Sequence, residues 1–181
     1  MSSVATGDYA WIDRAVRRVA RHWLFLFNTF AVVYAILPWA SPLLLRAGYQ
    51  RLGAFIFAVY RYGAFCHQLR ERSFFVGQYQ VCYCHRCTAL YTAIAATGLI
   101  YGLGRRRFAL STRLLLWATA PILIDGLWHL ADDLLPGLGL RAGSDAPGSL
   151  NFWARMVTGI IFGVAAVLWF YPRIDEQFED V

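Results

Sequence analysis

All four cysteines of the chain, Cys66, Cys82, Cys84 and Cys87, fall within 22 residues, and two of the four histidines, His67 and His85, lie among them. A random scatter over 181 residues would rarely collect every cysteine in one loop, so chemistry is expected in the stretch 66–87. Cys84 and Cys87 form a C-x-x-C pair at the predicted start of a helix. That spacing puts both sulfurs on one face, able to share a metal or close a disulfide. The positive end of a helix also lowers thiol pKa there. Three chemistries suit this pattern. Zinc or another thiophilic metal takes Cys66, Cys84 and Cys87, with His67, His85 or Cys82 as the fourth ligand, because thiolates and imidazole are what a tetrahedral zinc site prefers. A redox centre exchanges disulfides at an oxidising outer face. In the plainest case, one or two inert disulfides pin the loop.

A second set of polar residues lies in apolar surroundings. Asp125 stands near the middle of a hydrophobic run, where a carboxylate is costly and is usually paired or functional. His129 and Asp132 follow at i+4 and i+7, on the same helix face. Arg155 sits about one turn inside the last apolar run, with Thr158 and Gly159 beneath it. At about 1.5 Å rise per residue it comes level with His129 or Asp132 more nearly than with Asp125. These residues form either a lock between helices or a polar pocket of Asp125, His129 and Arg155 that holds a substrate headgroup, a quinone or a proton. Glu71 and Arg72 read as a solvated loop pair. No phosphate-cradling glycine loop, serine elbow or H-E-x-x-H pattern is present, nor the C-x-x-C-H run of haem attachment.

The elements that must position these residues are hydrophobic. The chain is 59% hydrophobic and 15% charged, with a mean hydropathy of +0.45; soluble domains carry roughly 25% charged residues. Long apolar runs alternate with short charged clusters, as membrane spans do. Seven tryptophans and ten tyrosines suit two water interfaces. The net charge of +6 comes entirely from arginine, since there is no lysine. The arginines flank the apolar runs, where they orient spans and meet anionic headgroups. Nucleic-acid binding is not expected.

The expected fold is all-α: a polytopic membrane helix bundle of about four transmembrane helices plus an interfacial or re-entrant helix. Residues 1–21 form an amphipathic N-terminal segment, with Trp11, Ala15, Val16 and Val19 on one face and arginines on the other. No small-residue cleavage site closes the first apolar run, so that span is expected to be retained. Residues 22–172 form a single membrane domain carrying the Cys/His loop 66–87, and 173–181 an acidic tail. The spans are about His22–Leu45 (broken at Pro38 and Pro42), Cys84–Leu103, Leu114–Leu135 and Phe152–Tyr171, the last closed by Pro172. Placing the N-terminal arginines and Arg105–Arg107 in the cytoplasm requires an even number of crossings between them. Segment 48–65 then does not cross, both termini are cytoplasmic, and the Cys/His loop faces outward at the cell membrane. Gly98 with Gly102 and Gly159 with Gly163 would let helices approach closely.

Cys66-His67-Gln68, Glu71-Arg72-Ser73-Phe74-Phe75 with Gly77, and Cys84-His85-Arg86-Cys87-Thr88 with Tyr91 resemble the domain-of-unknown-function 2085 family of small predicted membrane proteins. The resemblance continues at Asp125-Gly126, Arg155 and Thr158-Gly159, covering about residues 60 to 165. It implies a core ligand set of Cys66, His67, Cys84 and Cys87, with Cys82 as an extra. Ala89 stands where the family often has Gly, and His129 where Gln is expected, so a metal role for His129 does not carry across. No activity comes with the family. The sequence thus leads to an integral membrane protein with a metal site at the outer face. The alternatives are a quinone-linked thiol-disulfide oxidoreductase and an accessory subunit of a larger membrane complex. The expected partners are the lipid bilayer and other membrane subunits.

Overall fold

The structure, a computed structural model, describes residues 10–63, 66–104, 108–135 and 143–179. The arginine run 105–107, Pro136-Gly137 and the first nine residues lie outside them. Among the described residues the fold has five α-helices and one hairpin: α1 (Ala10–Arg46), α2 (Gln50–Gly63), β1 (Ser73–Val76), β2 (Tyr79–Cys84), α3 (His85–Leu103), α4 (Thr112–Leu134) and α5 (Leu150–Glu179). A 3-10 turn, Arg70–Arg72, leads into β1. The all-α expectation is therefore corrected: a two-stranded antiparallel sheet occupies the Cys/His loop.

Among the described residues, three helices, α1, α4 and α5, are long and apolar enough to cross a membrane. α2, with 14 residues, is about 21 Å long, too short for a hydrocarbon core of about 30 Å. The helices are polar inside and apolar outside. Trp117 is 71% exposed and Leu127 63%, whereas Arg155 is 2% and His129 6% exposed. Such a surface suits lipid rather than water as solvent.

The expected breaks at Pro38, Pro42 and Pro172 do not occur. α1 is one helix of 37 residues and α5 runs on through Glu179. Proline removes the N–H that would serve the carbonyl four residues earlier, and a membrane helix tolerates this where another donor replaces it. Pro38 frees the Tyr34 carbonyl, which accepts from the hydroxyls of Tyr60 (3.4 Å) and Tyr83 (3.3 Å). Pro172 frees the Leu168 carbonyl, which accepts from the Leu110 amide at 2.9 Å. Each of these two prolines thus turns a helix carbonyl into a docking point for another part of the chain.

At the end where α1 begins, Trp23 Nε1 and the Tyr101 hydroxyl donate to the two oxygens of Asp175 at 3.1 and 2.8 Å. Asp175, read from the sequence as part of an acidic tail, is 5% exposed and ties α1, α3 and α5 together. Asn28 spans the same helices, donating to the Gly98 carbonyl (2.9 Å) and accepting from Tyr171 (3.1 Å). Trp169 and Arg173 reach Thr112, so α4 starts at this end too. α1 and α4 therefore run one way, α3 and α5 the other, and α1 starts at the end where α5 finishes. Along the α3–α5 contact, a Cβ on Gly159 or Gly163 would meet the Arg86 or Leu90 carbonyl oxygen at 2.7 Å. The backbones touch there because neither position has a side chain.

Candidate metal centre

The hairpin brings β2 down between the helices. Phe75 pairs with Gln80 and Val76 with Tyr79. Gly77 takes φ +63 at the first turn position, which glycine adopts without strain. An irregularity follows before Ser73 meets Cys84. Val81, Cys82 and Tyr83 are all fully buried, as in a strand covered on both faces.

Cys84 ends β2 and caps α3 with an extended backbone, and Cys87 sits in the first turn of that helix. Cys66 arrives from the other side, on the stretch after α2. Its position is held by Gln68, a buried residue in the left-handed region (φ 51). The Gln68 amide donates to the Cys82 carbonyl at 2.8 Å, and its own carbonyl accepts from Gln80 at 2.7 Å. The sulfurs of Cys66, Cys84 and Cys87 consequently lie within 4.8 Å of one another. The Cys84 amide donates to the Cys66 sulfur at 3.3 Å.

Three sulfurs around a zinc at about 2.3 Å stand about 3.8 Å apart in tetrahedral geometry. The triad is close to that spacing. One sulfur of the group is favoured as the anion: hydrogen bonds from Cys66 and Cys87 hold the Cys84 thiol well below its ordinary value, while the Cys87 thiol is pushed up. The Cys66 thiol is pushed up, chiefly because it donates to Cys84.

His67 does not join these sulfurs, and neither do His85 or Cys82. Cys66 and Gln68 are buried while His67 between them is exposed. His85 is fully buried, its ring edge-on to Phe74 and Phe152 at 4.6 and 4.8 Å. Burial pushes the Cys82 thiol up to about 11, leaving it protonated.

The polar helix residues divide into two groups. Arg86, inside the C-x-x-C segment, forms an ion pair with Asp125 of α4. Gly126 lies beside it: a Cβ there would lie 3.4 Å from an Arg86 nitrogen, an ordinary contact. Arg155 contacts His129 Nε2 at 2.5 Å and donates to Asp145 at 2.7 Å. Asp145 also accepts from Arg72 at 2.9 Å, and Arg72 in turn forks onto Asp133 at 3.0 and 3.2 Å. The reading of Arg72 as a solvated loop residue is thus corrected: its guanidinium joins the hairpin to α4 and to the loop before α5. Sequence reasoning missed Arg86, Asp145 and the Tyr34 carbonyl. For the carbonyl a signal existed, a proline four residues on.

No solved structure matches the chain. It is 29% identical to an uncharacterized protein of Methanocaldococcus jannaschii over 119 residues, 64% of this chain and 67% of that one. The model of the family described as "Predicted membrane protein (DUF2085)" matches residues 66–169, a range that starts at Cys66 and takes in the sulfur triad, Arg86, Asp125 and Arg155. The chain belongs to this family of predicted membrane proteins.

Proposed function

We propose that Cys66, Cys84 and Cys87 bind zinc or another thiophilic metal within a four-span bundle of the cell membrane. The observation that carries this reading is the approach of three sulfurs to within 4.8 Å, although two come from a C-x-x-C pair and one from beyond a hairpin. A structural zinc site is closed by four protein ligands, whereas three leave a position for water or substrate. With His67 exposed, the centre is of the three-ligand, exchangeable kind. In the four-span reading α3, with 19 residues, is the fourth crossing, α2 does not cross, and both termini are cytoplasmic, where α1 brings Arg14, Arg17, Arg18 and Arg21. Asp125, held by Arg86, and the His129–Arg155 contact then form the polar lining next to the centre.

The test is elemental analysis with thiol counting on purified protein. One metal per chain is expected, lost on Cys66→Ser, Cys84→Ser or Cys87→Ser and retained on His67→Ala and Cys82→Ser. Absence of metal, with a Cys84–Cys87 pair that oxidises and reduces reversibly, would overturn it in favour of a thiol redox centre. The lowered Cys84 thiol favours that second reading.

A further inference from the structure

Between α2 and the hairpin lies a cleft of about 540 Å³. Leu45, Ala54 and Phe57 make its apolar side, Arg61, Arg70 and Gln80 are on its polar side, and no Asp or Glu lines it. Arg61 comes from the last turn of α2, and Arg70 from the 3-10 turn before β1. Arg72, two residues on, is neutralised by Asp133 and Asp145. Among the described residues neither Arg61 nor Arg70 forms an ion pair. The Arg70 guanidinium lies over the Phe75 ring at 4.9 Å. Stacking of this kind uses the face of the fork and leaves its N–H edge for an anion.

Depth gives the unpaired charge its meaning. The Ser41 hydroxyl donates to the Gly53 carbonyl at 2.9 Å, and the Tyr60 hydroxyl to the Tyr34 carbonyl at 3.4 Å. Both contacts share one antiparallel register, so α2 starts beside the end of α1 and descends along it to the level of Tyr34. Tyr34 stands about midway between His22 and Leu45. In the four-span reading, on which this step rests, α2 therefore enters from the outer face and stops near the midplane. Arg61, one residue past Tyr60, is exposed there. A cation at that depth is costly in hydrocarbon and is met by water or by an opposite charge. Helical side chains lean toward the helix N-terminus, which for α2 is the outer end. The Arg61 guanidinium is thus directed up the cleft that it shares with Leu45 and Arg70.

We propose that this cleft binds a phosphate group at the outer face of the membrane, held by Arg61 and Arg70, with any attached chain along Leu45 and Ala54. Two unpaired guanidinium forks select an anion, and the several oxygens of a phosphate match their paired N–H groups. Phe57 lines the cleft and packs on the buried cluster that contains Cys66, so the phosphate lies beside the sulfur centre. The site goes beyond the metal reading and does not depend on it.

The full chain in dodecylmaltoside micelles is titrated calorimetrically with three probes: dihexanoyl phosphatidylglycerol, inorganic phosphate, and dihexanoylglycerol, which has the chains without the phosphate. Saturable binding of phosphatidylglycerol is expected, weakened about tenfold by Arg61→Gln and by Arg70→Gln. Arg51→Gln, on α2 but off the cleft, should change nothing, and Cys84→Ser should lose the metal and keep the phosphate ligand. Saturation by inorganic phosphate with the same arginine dependence supports the site and makes the free anion its ligand; binding of phosphatidylglycerol alone makes it a lipid site. Equal binding of dihexanoylglycerol, or titrations that never saturate, would overturn the proposal. So would binding that both cleft variants leave intact, or that Arg51→Gln weakens as much as they do. Labelling of Arg51→Cys by an impermeant maleimide on intact cells, above that of the unsubstituted chain, checks the orientation separately. Without that label the four-span reading fails, while the micelle titration still decides the cleft.

Discussion

Removing the hydroxyls of Tyr60 and Tyr83 tests how the hairpin is anchored to α1. Pro38 leaves the Tyr34 carbonyl without its helical donor, and the two phenols take that role at 3.4 and 3.3 Å. Both distances exceed the usual O–H···O range of about 2.5–3.0 Å, so either Tyr→Phe change alone leaves one donor and costs at most about 0.5 kcal/mol. Removing both orphans a carbonyl where water is excluded, at a cost of about 1–3 kcal/mol beyond that. The double substitution should therefore exceed the sum of the singles by about 1–2 kcal/mol. Pro38→Ala supplies the missing amide, and in that background the excess should disappear. Reversible unfolding by denaturant in mixed micelles, followed through the midpoint at constant slope, measures the singles and the double in both backgrounds. Additive singles, or an equal excess with Ala at position 38, would refute the reasoning.

Two further predictions concern the same framework. Asp145→Asn breaks the bridge between Arg72 and the 2%-exposed Arg155, and should cost about 2–3 kcal/mol, below the range for a fully buried pair because Asp145 is partly exposed. Burial is the largest influence on the Asp145 carboxyl and pushes it up, yet Arg155 and Arg72 together bring it below its ordinary 3.8. Since the folded value is the lower one, the contribution is complete above about pH 4 and fades as pH falls through the depressed value. The unfolding midpoint of the Asn variant should accordingly lose that acid-side dependence. Gly163→Val places a Cβ 2.7 Å from the Leu90 carbonyl oxygen, and should destabilise by about 3 kcal/mol by prising α3 from α5. Cys84 should then become more reactive to a maleimide; unchanged labelling and midpoint would contradict the close backbone contact.

Composition alone determined the solvent. Apolar runs separated by arginines specify lipid-facing helices, because burial in hydrocarbon depends on residue type summed over about twenty positions and on little else. The cysteine cluster was equally legible, since clustering in sequence survives any fold that keeps the loop short. The helix ends at Pro38 and Pro172 were misread: a proline breaks a helix only if the carbonyl it frees finds no donor, and those donors, Tyr60, Tyr83 and the Leu110 amide, come from distant parts of the chain. The hairpin was likewise not read from the sequence, where the stretch reads as a loop, although Gly77 marks its turn. Which of the two neighbours Cys66 and His67 approaches the C-x-x-C pair was also decided in three dimensions. Cys66 and His67 are chemically equal candidates as neighbours in sequence, and the fold buries the sulfur and leaves the imidazole exposed. Partner choice followed the same rule, with Arg86 rather than Arg155 reaching Asp125, because charge pairs answer to distance, which spacing along one helix does not contain.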